Sequence, residues 1–375
     1  MKTVVETLSD LIRLPSKSAL TNRPIVDYAT RALHAAGWST RELPYRDPAG
    51  VEKVNLIAAP PGQSPADPAA DLVFMCHTDT VPWAAEWTSA LEPVVQNEVL
   101  HGCGACDVKG FLACLLTAVT QCDSNRLPAG LRLVLTADEE IGCIGASRLL
   151  SANALRPRRM VIGEPTSLHP ARAGKGYCLA EVTVDGKEAH SAHPQQGVSA
   201  IYQAARLIAA VEALAVQLAT TTHSFFGPGF TTLNIGTIEG GTAKNIVPGS
   251  CRFQLEWRPI PGEPALRVLE SVAAIIDGLH RADPTFHAEI EPLRQQGGFE
   301  TAATAPLVGA VEALAGRSAV SIPFGSEASV FAEVAAEIIV FGPGDMRTAH
   351  SSRECVAIAE LEQAVACLAS LLTVE

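Results

Sequence analysis

The sequence lacks the features by which nucleic-acid-binding, secreted and membrane-spanning proteins are recognised. It contains no run of basic residues and has a net charge of −12, which argues against a nucleic-acid surface. The stretch 1–6 carries no apolar core of the signal-peptide type, and we find no uninterrupted apolar span of membrane length. We therefore expect a cytoplasmic protein with neither a membrane partner nor a nucleic-acid partner.

Several common catalytic and nucleotide-binding motifs are also missing. The sequence has no phosphate-binding loop of the form G-x-x-x-x-G-K-[ST] and no serine-hydrolase motif G-x-S-x-G. The turn Gly102-x-Gly104 continues to Asp107, where a dinucleotide fingerprint would require a third glycine. The ten cysteines follow no framework spacing, so we expect free, buried thiols in a reducing compartment.

The length of 375 residues is enough for two domains. In the first half, short apolar strands alternate with helices, which predicts a mixed, mostly parallel α/β sheet flanked by helices. From residue 177 the order becomes strand, helix, strand, strand, helix, strand, which is the ferredoxin-like split unit. We therefore predict a catalytic domain at 1–176 and 292–375, interrupted by an inserted α+β domain at 177–291.

The elements behind this division follow from apolar periodicity and from turn residues. In the α/β part we predict helices at 4–13, 25–36, 108–120, 145–151, 307–315 and 358–372, and strands at 54–58, 72–76, 131–137, 160–162 and 337–341. In the insert we predict strands at 177–184, 231–239, 250–258 and 286–291, and helices at 198–218 and 264–279.

Acids and histidines follow the apolar strands and turns of the α/β part. Ligands collect at the carboxyl ends of parallel strands, so we expect these side chains to meet at one edge of the sheet. A charged group beside an apolar core is costly unless it is paired. The candidate side chains are His77, Asp79, Asp107, Glu139, Glu140, Glu164 and His350.

Each candidate has an ordinary explanation when it is considered alone. A histidine at a strand end is more often hydrogen-bonded than bound to a metal, and Asp107 before a helix is by default an N-cap. Glu139 and Glu140 would in isolation be solvated turn residues, and Glu164 before a proline would be a loop acid. Their joint occurrence at successive strand ends favours a shared partner.

Divalent metal ions are the partner that this set of side chains fits. Histidine nitrogen and carboxylate oxygen without thiolate suit Zn²⁺, Co²⁺ or Mn²⁺ in a catalytic site. A carboxylate that bridges two ions, with two further ligands on each ion, requires five protein ligands. Five are available: His77, Asp107, Glu140, Glu164 and His350. Glu139 is then free to take a proton from water, and Asp79 to support the ring of His77.

The sequence also carries a combined motif in five segments. These are His77-Thr78-Asp79-Thr80-Val81-Pro82, Gly102-x-Gly104-x-x-Asp107-x-Lys109-Gly110, Asp138-Glu139-Glu140, Gly163-Glu164-Pro165-Thr166, and the late His350. In order and spacing they resemble the M20 family of metallopeptidases and deacylases over essentially the whole chain. The resemblance implies a zinc-peptidase-like catalytic domain, with the insert as a lid through which a homodimer forms.

The resemblance also implies a role for each candidate. Asp107 would bridge two ions, with Zn²⁺ favoured over Co²⁺ and Mn²⁺. His77 and Glu164 would complete one site, and Glu140 and His350 the other. Glu139 would be the general base, and Asp79 would orient His77. In the insert, His190 would stabilise the oxyanion in the active site of the other subunit, and Asn245 and Arg258 would bind the substrate carboxylate.

Without the resemblance, His190 is best explained as a surface-loop histidine and Arg258 as part of a surface ion pair. With it, the sequence predicts a metal-dependent amidohydrolase that removes an acyl group, in the first instance acetyl, from the α-amino nitrogen of a small amino acid. A desuccinylase, an N-acetylcitrulline deacetylase, a carboxypeptidase and a dipeptidase are the alternatives within the family. A binding protein that has lost catalysis is the alternative of another class, and the presence of all five ligands and the base disfavours it.

Overall fold

The computed structural model describes residues 2–373. The chain forms two compact units. The first comprises Met1–Ala173, Glu300–Val320 and Ser326–Glu375, and the second comprises Gly174–Phe299 and Ser321–Gly325. The exact domain limits proposed from the sequence, 176 and 291, stay predictions, and the last strand of the insert continues to Gln296.

The strands of the described residues are, in chain order, β1 (Ser39–Arg46), β2 (Glu52–Ala59), β3 (Ala69–His77), β4 (Val94–Gln96), β5 (Val99–His101), β6 (Leu131–Thr136), β7 (Arg156–Gly163), β8 (Ala171–Gly174), β9 (Tyr177–Asp185), β10 (Ala189–His190), β11 (Thr232–Gly240), β12 (Ile246–Val247), β13 (Ser250–Arg258), β14 (His287–Gln296), β15 (Phe299–Glu300), β16 (Val320–Ile322), β17 (Glu337–Phe341) and β18 (Cys355–Ala357). The α-helices are α1 (Val4–Ile12), α2 (Arg23–Ala35), α3 (Lys109–Gln121), α4 (Ile144–Ser151), α5 (Ala200–Leu218), α6 (Arg267–Ala282), α7 (Pro306–Ala315), α8 (Ala328–Phe331) and α9 (Ile358–Leu371).

A mixed sheet forms the centre of the first unit. Its strand order is β1-β2-β6-β3-β7-β17-β8-β15, and β16 also pairs with β8. The four neighbouring strands β6, β3, β7 and β17 run parallel, whereas β1 and β2 are antiparallel additions at one side. Strand β6 is buried throughout and β3 is buried over most of its length, which explains their continuous apolar sequences. The predicted α/β sheet with a parallel centre is confirmed.

The helices of the first unit follow the rules of local sequence. Helix α1 begins with a capping box, in which the hydroxyl of Thr3 accepts the N–H of Glu6 and the Glu6 carboxylate accepts the N–H of Thr3. Helix α3 is buried from Lys109 to Val119 and packs against α1 and α9. Strand β1 was not predicted, because its residues are only half-buried and form no apolar run. All ten cysteines are free thiols, and none is exposed.

The second unit has the predicted ferredoxin-like arrangement. Its four-stranded antiparallel sheet has the order β11-β13-β9-β14, and α5 and α6 complete the β-α-β-β-α-β sequence. Apolar side chains of both helices pack against the sheet in one hydrophobic core. A separate two-stranded ribbon, β10 with β12, carries His190.

Helix α5 is long and apolar enough, by length and composition alone, to cross a membrane. Its pattern of burial is that of an amphipathic helix in a protein core. Ala204, Leu207 and Val211 are buried against the sheet, whereas Arg206 and Glu212 are exposed on the other side. The core of the second unit therefore accounts for the buried apolar face of α5.

Candidate metal centre

The parallel strands of the first unit bring the candidate side chains to one edge of the sheet. His77 is the last residue of β3, the Glu139–Glu140 pair follows β6, and Glu164 follows β7 directly. His350 lies after β17. These four strands are neighbours and point the same way, so residues far apart in sequence leave the sheet side by side.

Asp107 lies between the two histidines. Its Oδ1 is 3.1 Å from Nε2 of His77, and its Oδ2 is 3.1 Å from Nε2 of His350. His350 Nε2 is also 3.4 Å from Oε1 of Glu140. His77, Asp107 and Glu140 each offer a ligand atom within 4.8 Å of the others. The two oxygens of one carboxylate therefore face two different histidines.

This donor set fits divalent cations. Two ligand atoms that each bind Zn²⁺ at about 2.1 Å lie ~3–4 Å apart, which matches the separations of 3.1 and 3.4 Å between these side chains. The ring of His77 is also oriented for metal binding, because its Nδ1 lies 3.0 Å from the backbone carbonyl oxygen of Asp79. An N–H at Nδ1 that donates to this oxygen leaves the Nε2 lone pair for a metal.

The electrostatics of the cluster favour added positive charge. Burial and the charge of Asp107 raise the pKa of Glu140 to about 7, and the same causes raise the pKa of Glu164 well above its usual range. Hydrogen bonds to Asp107 and Glu140 raise the pKa of His350 to about 10. Burial opposes ionisation of Asp107, but its hydrogen bonds with His350 and His77 outweigh burial and lower its pKa. Several acids crowded in a buried place are stabilised by cations.

The carboxylate of Asp79 has a different set of contacts from the predicted one. Its nearest oxygen is 3.7 Å from Nδ1 of His77, which is too long for a hydrogen bond. The carboxylate instead accepts the backbone N–H groups of Glu139 at 3.1 Å and of Glu140 at 3.3 Å, and the hydroxyl of Ser18 at 2.7 Å. Asp79 therefore supports the ring of His77 through its backbone and the Glu139–Glu140 turn through its side chain.

A buried ion pair also contacts this turn. Lys53 is 1% exposed, and its Nζ lies 3.0 Å from Oδ1 of Asp138. The hydroxyl of Tyr45 donates to the other oxygen of Asp138 at 2.8 Å. Asp138 has a φ of +60°, and Glu139 follows it directly. Lys53 was not predicted, because a single lysine at the start of a strand carries no signal of burial in the sequence.

Glu354 was not predicted either. It is 3% exposed, and its carboxylate contacts the turn that ends at Asp107. The signal available in the sequence is an acid four residues after His350, which is too common a pattern to indicate such a contact.

The residues predicted in the insert lie in the second unit. His190 is exposed on the β10–β12 ribbon opposite Ile246, and the N–H of Ser191 donates to the carbonyl of Asn245 at 3.0 Å. Arg258 donates through Nε to Glu256 at 2.8 Å, and its guanidinium lies 4.7 Å from the ring centre of Tyr177. His190 and Asn245 are thus neighbours, and Arg258 is held at the end of β13.

Residues 73–374 match the model of Peptidase family M20/M25/M40. The chain belongs to this family. It is a metal-dependent hydrolase, as the resemblance in the sequence predicted. Among curated proteins, the acetylornithine deacetylase of Myxococcus xanthus is 45% identical over 364 residues, covering 97% of this chain and 95% of the relative.

Solved structures of M20-type proteins have the same fold. A tripeptidase from Staphylococcus aureus superposes with a TM-score of 0.77 at 22% identity, covering 99% of this chain and 97% of the other. A dinuclear metal-binding peptidase of the M20 family from Bacillus subtilis superposes with a TM-score of 0.66 at 15% identity, covering 99% and 96% of the two chains. At these identities the likeness concerns the fold alone.

Proposed function

We propose that this M20 enzyme hydrolyses N2-acetyl-L-ornithine to L-ornithine and acetate, a reaction that supplies ornithine for arginine synthesis. The observation that carries the proposal is the identity with the acetylornithine deacetylase of Myxococcus xanthus, which extends over nearly the full length of both chains. The cluster of histidines and carboxylates at the sheet edge supports hydrolysis of an amide, because such clusters hold the metals that this chemistry uses.

Five side chains would hold two divalent ions, with Zn²⁺ favoured and Co²⁺ or Mn²⁺ as alternatives. Asp107 would bridge them, which is supported by its two oxygens facing different histidines. His77 and Glu164 would complete one site, and Glu140 and His350 the other. When bound, the ions would lower the pKa of a water molecule and polarise the amide carbonyl.

Glu139 would move the proton in this reaction. It would take a proton from the attacking water, as the C–O bond forms, and return that proton to the leaving nitrogen, as the amide C–N bond breaks. The burial of Glu139 and the two contacts of its turn with Asp79 support this role, because a proton carrier must be held in position. Asp79 would be the residue that positions it.

The second unit would supply the remaining groups. His190 would stabilise the oxyanion in the active site of the other subunit of a homodimer, and Asn245 and Arg258 would bind the substrate carboxylate. His190 on the β10–β12 ribbon and Asn245, directly before β12, are both exposed, which supports their availability for contact with a substrate.

Dimerisation through the second unit is supported by exposed apolar side chains on α5, where Tyr202 is 78% and Val216 is 70% exposed. A cytoplasmic location is part of the proposal, since the ten cysteines are free.

A substrate panel tests the proposal. The purified enzyme, loaded with Zn²⁺ or Co²⁺, is assayed on N2-acetyl-L-ornithine, N-acetyl-L-citrulline, N-succinyl-L,L-diaminopimelate and a set of dipeptides. We expect the highest kcat/KM on N2-acetyl-L-ornithine. A higher kcat/KM on the succinylated substrate or on a dipeptide would assign the enzyme to another activity of the family. No turnover of any substrate, together with no bound metal, would support a non-catalytic binding protein.

A further inference from the structure

The carboxylate of Glu354 lies in a pocket made of backbone N–H groups. Its Oε2 accepts the N–H of Gly104 at 2.9 Å, and its Oε1 accepts the N–H groups of Cys106 at 3.1 Å and of Asp107 at 3.0 Å. The thiol of Cys106 is also 3.6 Å from Oε1. Three backbone donors from one short turn therefore converge on a single carboxylate that is almost completely buried.

The turn is shaped so that its N–H groups point to one place. Gly104 has a φ of +78°, and a Cβ there would lie 2.8 Å from the side chain of Lys109. Successive backbone N–H groups in such a turn form a cavity that binds an anion. Here the anion is a side chain of the same protein, which approaches from about 250 positions further along the sequence. The carboxylate replaces the water that would otherwise satisfy these donors.

Glu354 also belongs to the segment that carries His350. The backbone carbonyl of Glu354 accepts the N–H of Gly102 at 3.3 Å, and its own N–H donates to Ser351 at 3.0 Å. Strand β18 begins at the next residue and pairs with β5, which leads into the Gly104–Asp107 turn. The side chain of Glu354 thus joins the backbone of one histidine segment to the backbone of Asp107 itself.

We propose that Glu354 is a positioning residue for the metal centre, which sets the orientation of Asp107 and couples it to the segment of His350. The inference rests on the proposed metal-binding roles of those two residues. The carboxylate of Asp107 must present one oxygen to each histidine, so a small rotation of its backbone moves both oxygens away from both sites. A hydrogen bond to the N–H of Asp107 opposes that rotation.

A residue that only stabilises the fold would give a different result from one that positions a ligand. Loss of fold stability lowers the melting temperature of the metal-free protein but leaves the geometry of the bound metal unchanged. Loss of positioning weakens metal binding and changes the coordination geometry in the folded protein. The visible absorption of bound Co²⁺ reports that geometry directly, and it requires no substrate.

The experiment compares the full-length wild type with the Glu354→Gln, Glu354→Asp and Glu362→Gln variants. Glutamine keeps the size of the side chain but places an amide N–H₂ against the backbone donors. Aspartate keeps the charge and shortens the reach by one methylene. Glu362 is exposed on α9, so Glu362→Gln makes the same change of charge away from the turn. Each metal-free protein is titrated with Zn²⁺ against a chromophoric chelator and with Co²⁺ by visible absorption, and its Tm is recorded.

We expect Glu354→Gln to weaken Zn²⁺ affinity by roughly 10–100-fold and to alter the Co²⁺ spectrum, as removal of a ligand's hydrogen-bonding partner does. Glu354→Asp should give a smaller loss, and Glu362→Gln none. Wild-type affinity and spectrum in Glu354→Gln would overturn the proposal, even if its Tm fell. If Glu354→Gln does not fold, the Glu354→Asp variant tests the proposal instead. Wild-type metal binding in Glu354→Asp would then overturn the proposal. A wild type that binds metal but fails to hydrolyse N2-acetyl-L-ornithine would refute the proposed substrate and leave this inference standing.

Discussion

The carboxylate of Asp79 accepts the backbone N–H of Glu139 at 3.1 Å, and the N–H of the adjacent glutamate at 3.3 Å. One acid that follows β3 thereby holds the turn that follows β6, although the two are 60 residues apart. Glu139, the proposed proton carrier, is held in position through its backbone N–H. The group that accepts this N–H is the charged carboxylate of Asp79. Such charge-assisted hydrogen bonds are stronger than neutral ones.

Asp79→Asn tests this contact. An asparagine side chain has only one oxygen to accept the two backbone N–H groups, and its N–H₂ would oppose one of them. We expect kcat to fall by roughly 10–100-fold while the protein stays folded. Steady-state kinetics and the melting temperature measure the two effects separately. Asp277→Asn, an exposed change on α6, is the matched control and should leave both unchanged. A normal kcat in Asp79→Asn would mean that the turn holds its position without this acid.

Glu139→Gln tests the proton-transfer step. The substitution removes a base but keeps the size of the side chain, so metal content should remain near that of the wild type. Loss of a general base lowers turnover by about 10²–10⁴-fold. Metal analysis and kcat should therefore separate this variant from Glu140→Gln, which should lose metal first. If Glu139→Gln keeps substantial kcat, another group carries the proton.

Lys53→Met tests the buried ion pair behind the turn. The substitution leaves the carboxylate of Asp138 buried without its cation, and breaking such a pair from one side costs about 3–5 kcal/mol. We expect the midpoint of urea unfolding to fall accordingly. The double variant Lys53→Met with Asp138→Asn removes the uncompensated charge and should recover part of the loss, since asparagine also tolerates the positive φ at this position. An unchanged midpoint in the single variant would contradict the proposed cost.

Metal removal should destabilise the protein. The folded state presents the clustered acids and histidines as one site, whereas the unfolded chain does not. At a free metal concentration of about 100 times Kd, binding stabilises the fold by about 2.7 kcal/mol. Calorimetry should show a lower Tm after treatment with a chelator, and stoichiometric Zn²⁺ should restore it. Identical Tm values with and without metal would argue that the cluster binds no metal in the folded protein.

The candidate residues of the first unit could be found from sequence because they obey a rule of sheet topology. His77, Glu139, Glu140 and Glu164 lie at or just after the ends of apolar strands, and parallel strands end at a common edge. The residues that hold these candidates in place could not be found in this way. Nothing in the residues next to Lys53 and Glu354 in the sequence marks either side chain as buried, and each acts on a turn brought near by folding. Strand β1 was missed for a related reason, since a half-buried edge strand has no continuous apolar run.

The sequence by itself determined the α/β class with its ferredoxin-like insert, the family, and the set of acids and histidines at the strand ends, because apolar periodicity and motif spacing are local properties. Only the tertiary structure decided how these groups face one another. It assigned the two oxygens of Asp107 to His77 and His350, and the carboxylate of Asp79 to the backbone of Glu139. Hydrogen bonds depend on distances of a few tenths of an ångström between atoms far apart in the chain, and no local pattern records them.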